Sequence, residues 1–254
     1  MKGFSIAKQV LELWGASAEE IPTSAKEESD WLATLGGFRL LIEEKTKLEN
    51  PEQASARSMA LEANQVFGTT TPLSPNNRIS GILRKAAGQL SSTAASVAHD
   101  ARVLWMTGTG HDAEAKHYQT LSTLYGSTKV FELGKPGLRE CYFFHNSDFF
   151  RFRNHFDAAV VAFLVADTVT MKLCLNPYAV RWQALRDSPF ARKLPNGLID
   201  PVAEEAAGDA LIADTDIDRK DKDEVLRYLR TKYGVDQLLN MDMNMASAIV
   251  AMPK

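Results

Sequence analysis

Residues 30–47 constrain the fold of this chain more than any other stretch. Asp30-Trp31-Leu32-Ala33-Thr34-Leu35 is followed by Gly36-Gly37 and then by Phe38-Arg39-Leu40-Leu41-Ile42-Glu43-Glu44-Lys45-Thr46-Lys47. Two apolar-rich runs joined by two glycines predict a β-hairpin, because the favoured two-residue turns need positive φ in their central pair. Alternate residues of a strand share a face, so Glu43 and Lys45 point one way while Phe38, Leu40 and Ile42 point the other. Asp30 opens the first strand, and the hairpin folds it back beside the end of the second. Two carboxylates and an ammonium are thereby given the means to converge, the outline of a divalent-metal site. Asp30 and Glu43 supply hard oxygen ligands of the kind Mg²⁺ (or Mn²⁺) takes, one or two carboxylates with several waters retained. Lys45 is placed to orient or deprotonate a water, or to stabilise charge developing on a phosphate.

The rest of the chain alternates helices and strands. Residues 5–14 (SIAKQVLELW) predict a short amphipathic helix with Ile6, Val10 and Leu13 on one stripe and Gly15 as its stop. Residues 17–29 read as a polar lead-in, 51–66 as a helix, and 69–77 (TTTPLSPNN) as a loop. Residues 77–90 carry Ile79, Ile82, Leu83, Ala86 and Leu90 at helical spacing, with Arg84, Lys85 and Gln89 on the polar side. Strand, helix and strand follow at RVLWMT, DAEAKHYQTLSTLYG and TKVFEL. The aromatic run 141–152 reads as extended, 158–166 and 171–175 as buried strands, and 178–192 as helical until Pro189. A helix over 223–233 and a last strand over 246–252 complete the pattern. The fold class this predicts is α/β, a mixed central β-sheet flanked by helices.

Composition is that of an ordinary globular protein, and no apolar run approaches the roughly 20 residues a bilayer span needs. The N-terminal residues lack a signal-peptide pattern, and Cys141 and Cys174 lie in apolar surroundings as free thiols, so a cytoplasmic location without membrane contact is expected. The net charge of −3 hides a division. Residues 63–199 carry 15 Lys/Arg against 9 Asp/Glu, between two acidic segments. A basic middle beside an acidic start suits a metal-dependent nuclease, with carboxylates for the ion and cations for phosphates.

An acid opening a strand, a glycine hairpin, an apolar strand ending in Glu43-Glu44-Lys45, and a preceding amphipathic helix together resemble the PD-(D/E)XK nuclease superfamily, the restriction-endonuclease-like fold. Asp30 matches the first acid, Glu43 the second and Lys45 the lysine. Asp30 follows Ser29 rather than proline, and Glu44 stands where an apolar residue is more usual. The resemblance covers residues 5–107, whose order of helix, three strands, helix and strand fits that fold. It implies a nuclease-like core over 1–135 with a C-terminal α/β extension over 136–254, packed as one unit. It further implies Mg-dependent hydrolysis of DNA, with RNA left open, in prokaryotic or phage DNA processing or defence, and leaves room for a homodimer or a partner protein. Supporting roles implied by the resemblance fall to Glu12 on the first helix and to Lys85 or Gln89 on the helix after the hairpin. Arg84, Arg151 and Arg153 are the candidate nucleic-acid contacts, the latter two beside aromatics able to stack on bases or to fill a core.

Two other readings compete. The same fold without catalysis is a nucleic-acid- or protein-binding module. Gly108-Thr109-Gly110-His111-Asp112-Ala113, with Glu132 ending the next strand, matches a dinucleotide fingerprint and predicts a nucleotide-binding oxidoreductase. Asp214, Asp216 and Asp218 imitate a calcium loop but lack its glycine and its final glutamate, and read as a solvated turn.

Overall fold

The computed structural model describes residues 5–22, 28–165, 168–241 and 245–251. The first part of the chain forms α1 (Ile6–Leu13), β1 (Ser17–Glu20), β2 (Trp31–Leu35), β3 (Phe38–Lys47), α2 (Pro51–Glu62), β4 (Phe67–Pro72), α3 (Asn77–Ala94) and β5 (Ala101–Gly108). The middle contributes α4 (Ala113–Tyr125), β6 (Thr128–Glu132), β7 (Arg139–Tyr142), α5 (Asp148–Arg151), β8 (Ala158–Val165) and β9 (Thr168–Leu175). The remainder forms α6 (Trp182–Arg186), β10 (Leu198–Ile199), α7 (Pro201–Ala207), β11 (Ala210–Ile212), α8 (Lys222–Tyr233), β12 (Leu238–Met241) and β13 (Met245–Val250).

Among the described residues the central sheet has seven strands in the order β1-β2-β3-β5-β8-β9-β10. β1, β2 and β3 form an antiparallel meander, and β3, β5 and β8 run parallel. β5 and β8, buried along most of their length, read as near-continuous apolar runs, whereas β3 is apolar and buried only in its first half. A second sheet, β11-β7-β6-β12, packs under α8, and β4 pairs with β13 in a two-stranded ribbon. Both larger sheets draw strands from either side of residue 135. Residues 1–135 and 136–254 thus share sheets rather than dividing them.

Two helical layers cover the central sheet. On one face Ile6, Ala7, Val10 and Leu11 of α1 meet Leu40, Ile42, Val103 and Trp105. On the other, Ile79, Leu83, Ala86, Ala87 and Leu90 of α3 meet Leu41, Leu104 and Met106. Each fully buried aliphatic side chain contributes about 1.5–3 kcal/mol. The boundaries of these helices are chemical. Ser5 accepts the Lys8 N–H and Asn76 accepts those of Arg78 and Ile79, while Gly15 follows α1 at φ +82°. The hairpin forms as the sequence predicts, with Trp31 opposite Ile42 and Leu35 opposite Phe38, turning through Gly36 at φ +57° and Gly37 at φ +81°.

Four segments differ from their sequence reading. The polar lead-in contains an edge strand, β1, whose residues are mostly exposed and so lack apolar alternation. The proline-bearing stretch 69–77 begins inside β4, where Thr69 to Thr71 pair with β13. The aromatic run is extended only through Tyr142. Ser147 then accepts the Phe150 N–H and starts α5, so Phe144 and Phe149 enter the core. The stretch 178–192 holds only the short α6 and a 3-10 turn at Ala191–Lys193. The last strand lies at Met245–Val250, and Met252 falls outside the described residues. No helix among the described residues is long and apolar enough to cross a membrane.

Candidate active site

Odd-numbered residues at the end of β3 face α3 and α4, and even-numbered ones face α1. The backbone N–H of Asp30 donates to Ile42 O at 3.1 Å, its carbonyl accepts from Ile21 N–H at 3.0 Å, and its Oδ2 accepts from Glu44 N–H at 2.9 Å. The Asp30 carboxylate therefore lies against the amide that joins Glu43 to Glu44. Glu43 points under α3 and has no exposed surface. Lys45 Nζ contacts Glu43 Oε1 and donates to Gln89 Oε1 at 2.9 Å. Gln89 Nε2 in turn donates to the Glu28 carbonyl at 3.3 Å, tying the helix amide to the strand's approach. Carboxylate, ammonium and amide thus form one chain of contacts reaching from β3 to α3.

Glu44 points the opposite way and has a different task. Its carboxylate accepts from Ala7 N–H at 3.0 Å, Trp31 Nε1 at 3.0 Å and Ser5 Oγ at 2.5 Å. An acid at a helix N-terminus satisfies amides with no partner in the helix. An apolar residue at position 44 would leave α1 without this anchor.

The structure does not bring Glu12 to this cluster. It lies on the solvent side of α1, across the sheet from Glu43, where its Oε1 is 3.9 Å from Lys8 Nζ. Arg84, Arg151 and Arg153 are also elsewhere. Arg84 sits on the flank of α3 that carries Ser80, and Arg151 pairs with Asp148 at 3.0 Å. Burial raises the Asp148 pKa, opposed by Ser80, Arg151 and Arg84. Arg153 stacks 4.4 Å from the Phe150 ring centroid and donates to the Phe150 carbonyl. Lys85 is exposed on α3, one turn before Gln89.

Three residues missed in the sequence lie at the end of the site: Lys47, Gln119 and Arg78. Lys47 continues the alternation one step past Lys45, and its Nζ donates to Gln119 Oε1 of α4 at 3.1 Å. Its pKa is lowered by burial and then by Lys116, with Arg78 adding to the effect and Asp112 opposing it. Period-two alternation reaches Lys47 from sequence alone. Gln119 and Arg78 carry no such signal, because the fold brings them from distant positions.

The glycine motif after β5 does not have the geometry of a dinucleotide site. β6 leaves the central sheet to pair with β7 and β12, so the strand directly after α4 is not a parallel neighbour of β5, and Glu132 is ion-paired to Arg139 and Lys135. A Cβ on Gly110 would stand 2.7 Å from Glu49 Cβ. The room that glycine makes is taken by the Glu49 side chain, which binds His111 and Arg57. In the acidic turn, Asp214 and Asp216 hold the two ring nitrogens of His145 at 2.9 and 2.7 Å. Burial pushes the Cys141 and Cys174 thiols far up, which removes both as nucleophiles.

Among the described residues no group of three or more His, Cys, Asp and Glu side chains is placed to hold a metal ion alone. The pair Asp30 and Glu43 still fits Mg²⁺ chemically, since that ion takes one or two carboxylates and completes its shell with water and phosphate. Comparison of the chain with protein-family models, with curated proteins and with solved structures finds no match.

Proposed function

We propose that this chain is a metal-dependent nuclease that hydrolyses phosphodiester bonds of DNA, built on a restriction-endonuclease-like core. The observation that carries the reading is the contact chain Glu43–Lys45–Gln89, closed on the hairpin side by Asp30 against the Glu43–Glu44 amide. The order of α1, a three-stranded meander, α3 and a parallel β5 supports the same family resemblance. Asp30 and Glu43 would hold Mg²⁺ or Mn²⁺, which when bound polarises a phosphate oxygen and acidifies a water. Lys45 lies between two oxygen acceptors, an arrangement that favours donating to a developing phosphoryl charge over removing a proton. Gln89 keeps the ammonium in that place. The two free, buried cysteines agree with action in a reducing cytoplasm.

The test incubates the purified chain with single- and double-stranded DNA and RNA in Mg²⁺ or Mn²⁺. Glu43→Gln and Lys45→Met keep side-chain volume and are expected to abolish cleavage while the protein still melts cooperatively. Cleavage that survives both substitutions defeats the proposal.

The complete burial of Glu43 favours a second reading, a non-catalytic module of the same fold that grips nucleic acid or a partner protein. Calorimetry with Mn²⁺ separates the two. Uptake of the ion that is lost in Glu43→Gln supports the nuclease, and DNA binding without any metal uptake supports the module.

A further inference from the structure

The α3 helix presents two polar flanks with different neighbours. Arg78, Lys85 and Gln89 recur at i, i+7 and i+11 and form a single stripe, with Ile82 between them packed against the core. Gln89 at one end meets Lys45, and Arg78 at the other lies close enough to Lys47 to disfavour its charge. Ser80, Arg84 and Ser91 form the opposite flank, toward Asp148 and His155. On β3, Lys45 and Lys47 are two residues apart on one face, about 6.7 Å along the strand. That is close to one nucleotide step of an extended sugar–phosphate chain. Neither Lys47 nor Arg78 forms an ion pair among the described residues, although Lys47 is half-buried and Arg78 is exposed. Lys116 is different, because Asp112 neutralises it and the Thr109 and Leu48 carbonyls take its remaining protons. Gln119 donates to the Pro72 carbonyl, so its own oxygen faces Lys47 and holds that ammonium at the strand's end. Two cations that form no ion pair among the described residues, the charge of Lys47 offset only in part by Asp112, thus stand on the side of the carboxylate–lysine cluster and can take an anion.

We propose that Lys47 and Arg78 bind the phosphates next to the scissile one, so that a nucleic-acid strand lies along the Arg78–Lys85–Gln89 flank of α3 with Lys45 at its reacting phosphate. This rests on the nuclease reading of the site and names the path of the substrate through it. The flank is about 16 Å long from Arg78 to Gln89, room for a few nucleotides. Contacts of this kind position a strand without reading its sequence.

The test measures binding of a short fluorescent single-stranded oligodeoxynucleotide to the full chain in EDTA, across a series of salt concentrations. Lys47→Ala and Arg78→Ala are each expected to weaken binding about three- to tenfold and to reduce the slope of log affinity against log salt by about 0.7. Arg84→Ala, on the opposite flank, is expected to leave the slope as in the parent. Lys47→Gln, which keeps the stem and a hydrogen-bonding end, is expected to lose the same slope, and melting curves confirm that each variant is folded. Parent-like slopes for Lys47→Ala and Arg78→Ala, a loss in Arg84→Ala equal to theirs, or a parent that does not bind the strand overturns the proposal. The nuclease reading fails separately, if cleavage in Mg²⁺ survives both Glu43→Gln and Lys45→Met while the binding differences stand.

Discussion

Two adjacent glutamates on one strand take up unrelated tasks because a strand turns successive side chains to opposite faces. Glu43 is buried against Lys45, and Glu44 anchors α1 through Ala7, Ser5 and Trp31. Hydrogen bonds to a charged group contribute about 1.5–3 kcal/mol, and losing the acceptor leaves the donors unsatisfied. Glu44→Ala is therefore expected to lower stability by about 2 kcal/mol, read as a shift of the urea midpoint with unchanged slope. If the parent takes up Mn²⁺ as proposed, uptake is expected to persist in that variant, since Glu44 faces away from Glu43. Glu12→Ala is expected to stay within about 0.5 kcal/mol of the parent, as befits an exposed position whose nearest cation is Lys8. The alternation that separates Glu43 from Glu44 was legible in the sequence, and so was the face that Glu43 shares with Lys45, though not the ion pair between them. The anchoring role of Glu44 was not, because it depends on where α1 starts and on which face that helix packs.

At the scale of elements, the hairpin holds the site in register. A slip of one residue would turn Glu43 and Lys45 from α3 to α1. Gly36 and Gly37 prevent this by adopting positive φ, which costs other residues about 1–2 kcal/mol. Gly37→Ala is expected to lose about 1 kcal/mol in denaturant unfolding. Gly36→Ala is expected to lose more, because its added methyl would stand 3.0 Å from Pro189 Cγ. Elements with strong local signals were readable in advance: the hairpin, α1 with its Gly15 stop, α3 with its apolar stripe, and the apolar strands β5 and β8. β1 and β4 were not, because both are largely exposed strands whose pairing comes from partners elsewhere in the chain. The aromatic run misled for another reason. Its side chains are core as expected, yet they reach the core from a turn and the short α5 rather than from a strand.

Across the whole molecule α4 ties the central sheet to the β4–β13 ribbon. Lys116 fixes the loop after β5, Gln119 holds Pro72 and Lys47, and Thr123 accepts the Asn76 N–H at the start of α3. His117 faces the sheet from the same helix, buried, with its ring edge-on to Phe163 at 5.1 Å. Burial, and then the nearby Lys172, lower its pKa from 6.5 to about 4, against an opposing hydrogen bond to the Val161 backbone. The neutral ring is the one the folded protein accommodates. Above pH 6.5 both folded and unfolded chains carry it neutral, and its contribution to stability is fully present. As pH falls from 6.5 toward 4 the unfolded chain takes up a proton that the folded chain refuses, and this contribution is lost progressively. The integrated loss is on the order of 3 kcal/mol. Other groups titrate in the same range, Asp148 and Glu204 with raised values among them, so the difference between parent and His117→Leu isolates the ring. Unfolding free energies of the two proteins, measured by urea titration at steps between pH 7 and pH 4, are expected to converge or cross as pH falls. A constant difference over that interval would mean that α4 accommodates the charged ring, and that the contact between α4 and β8 is looser than the packing of His117 on Phe163 implies.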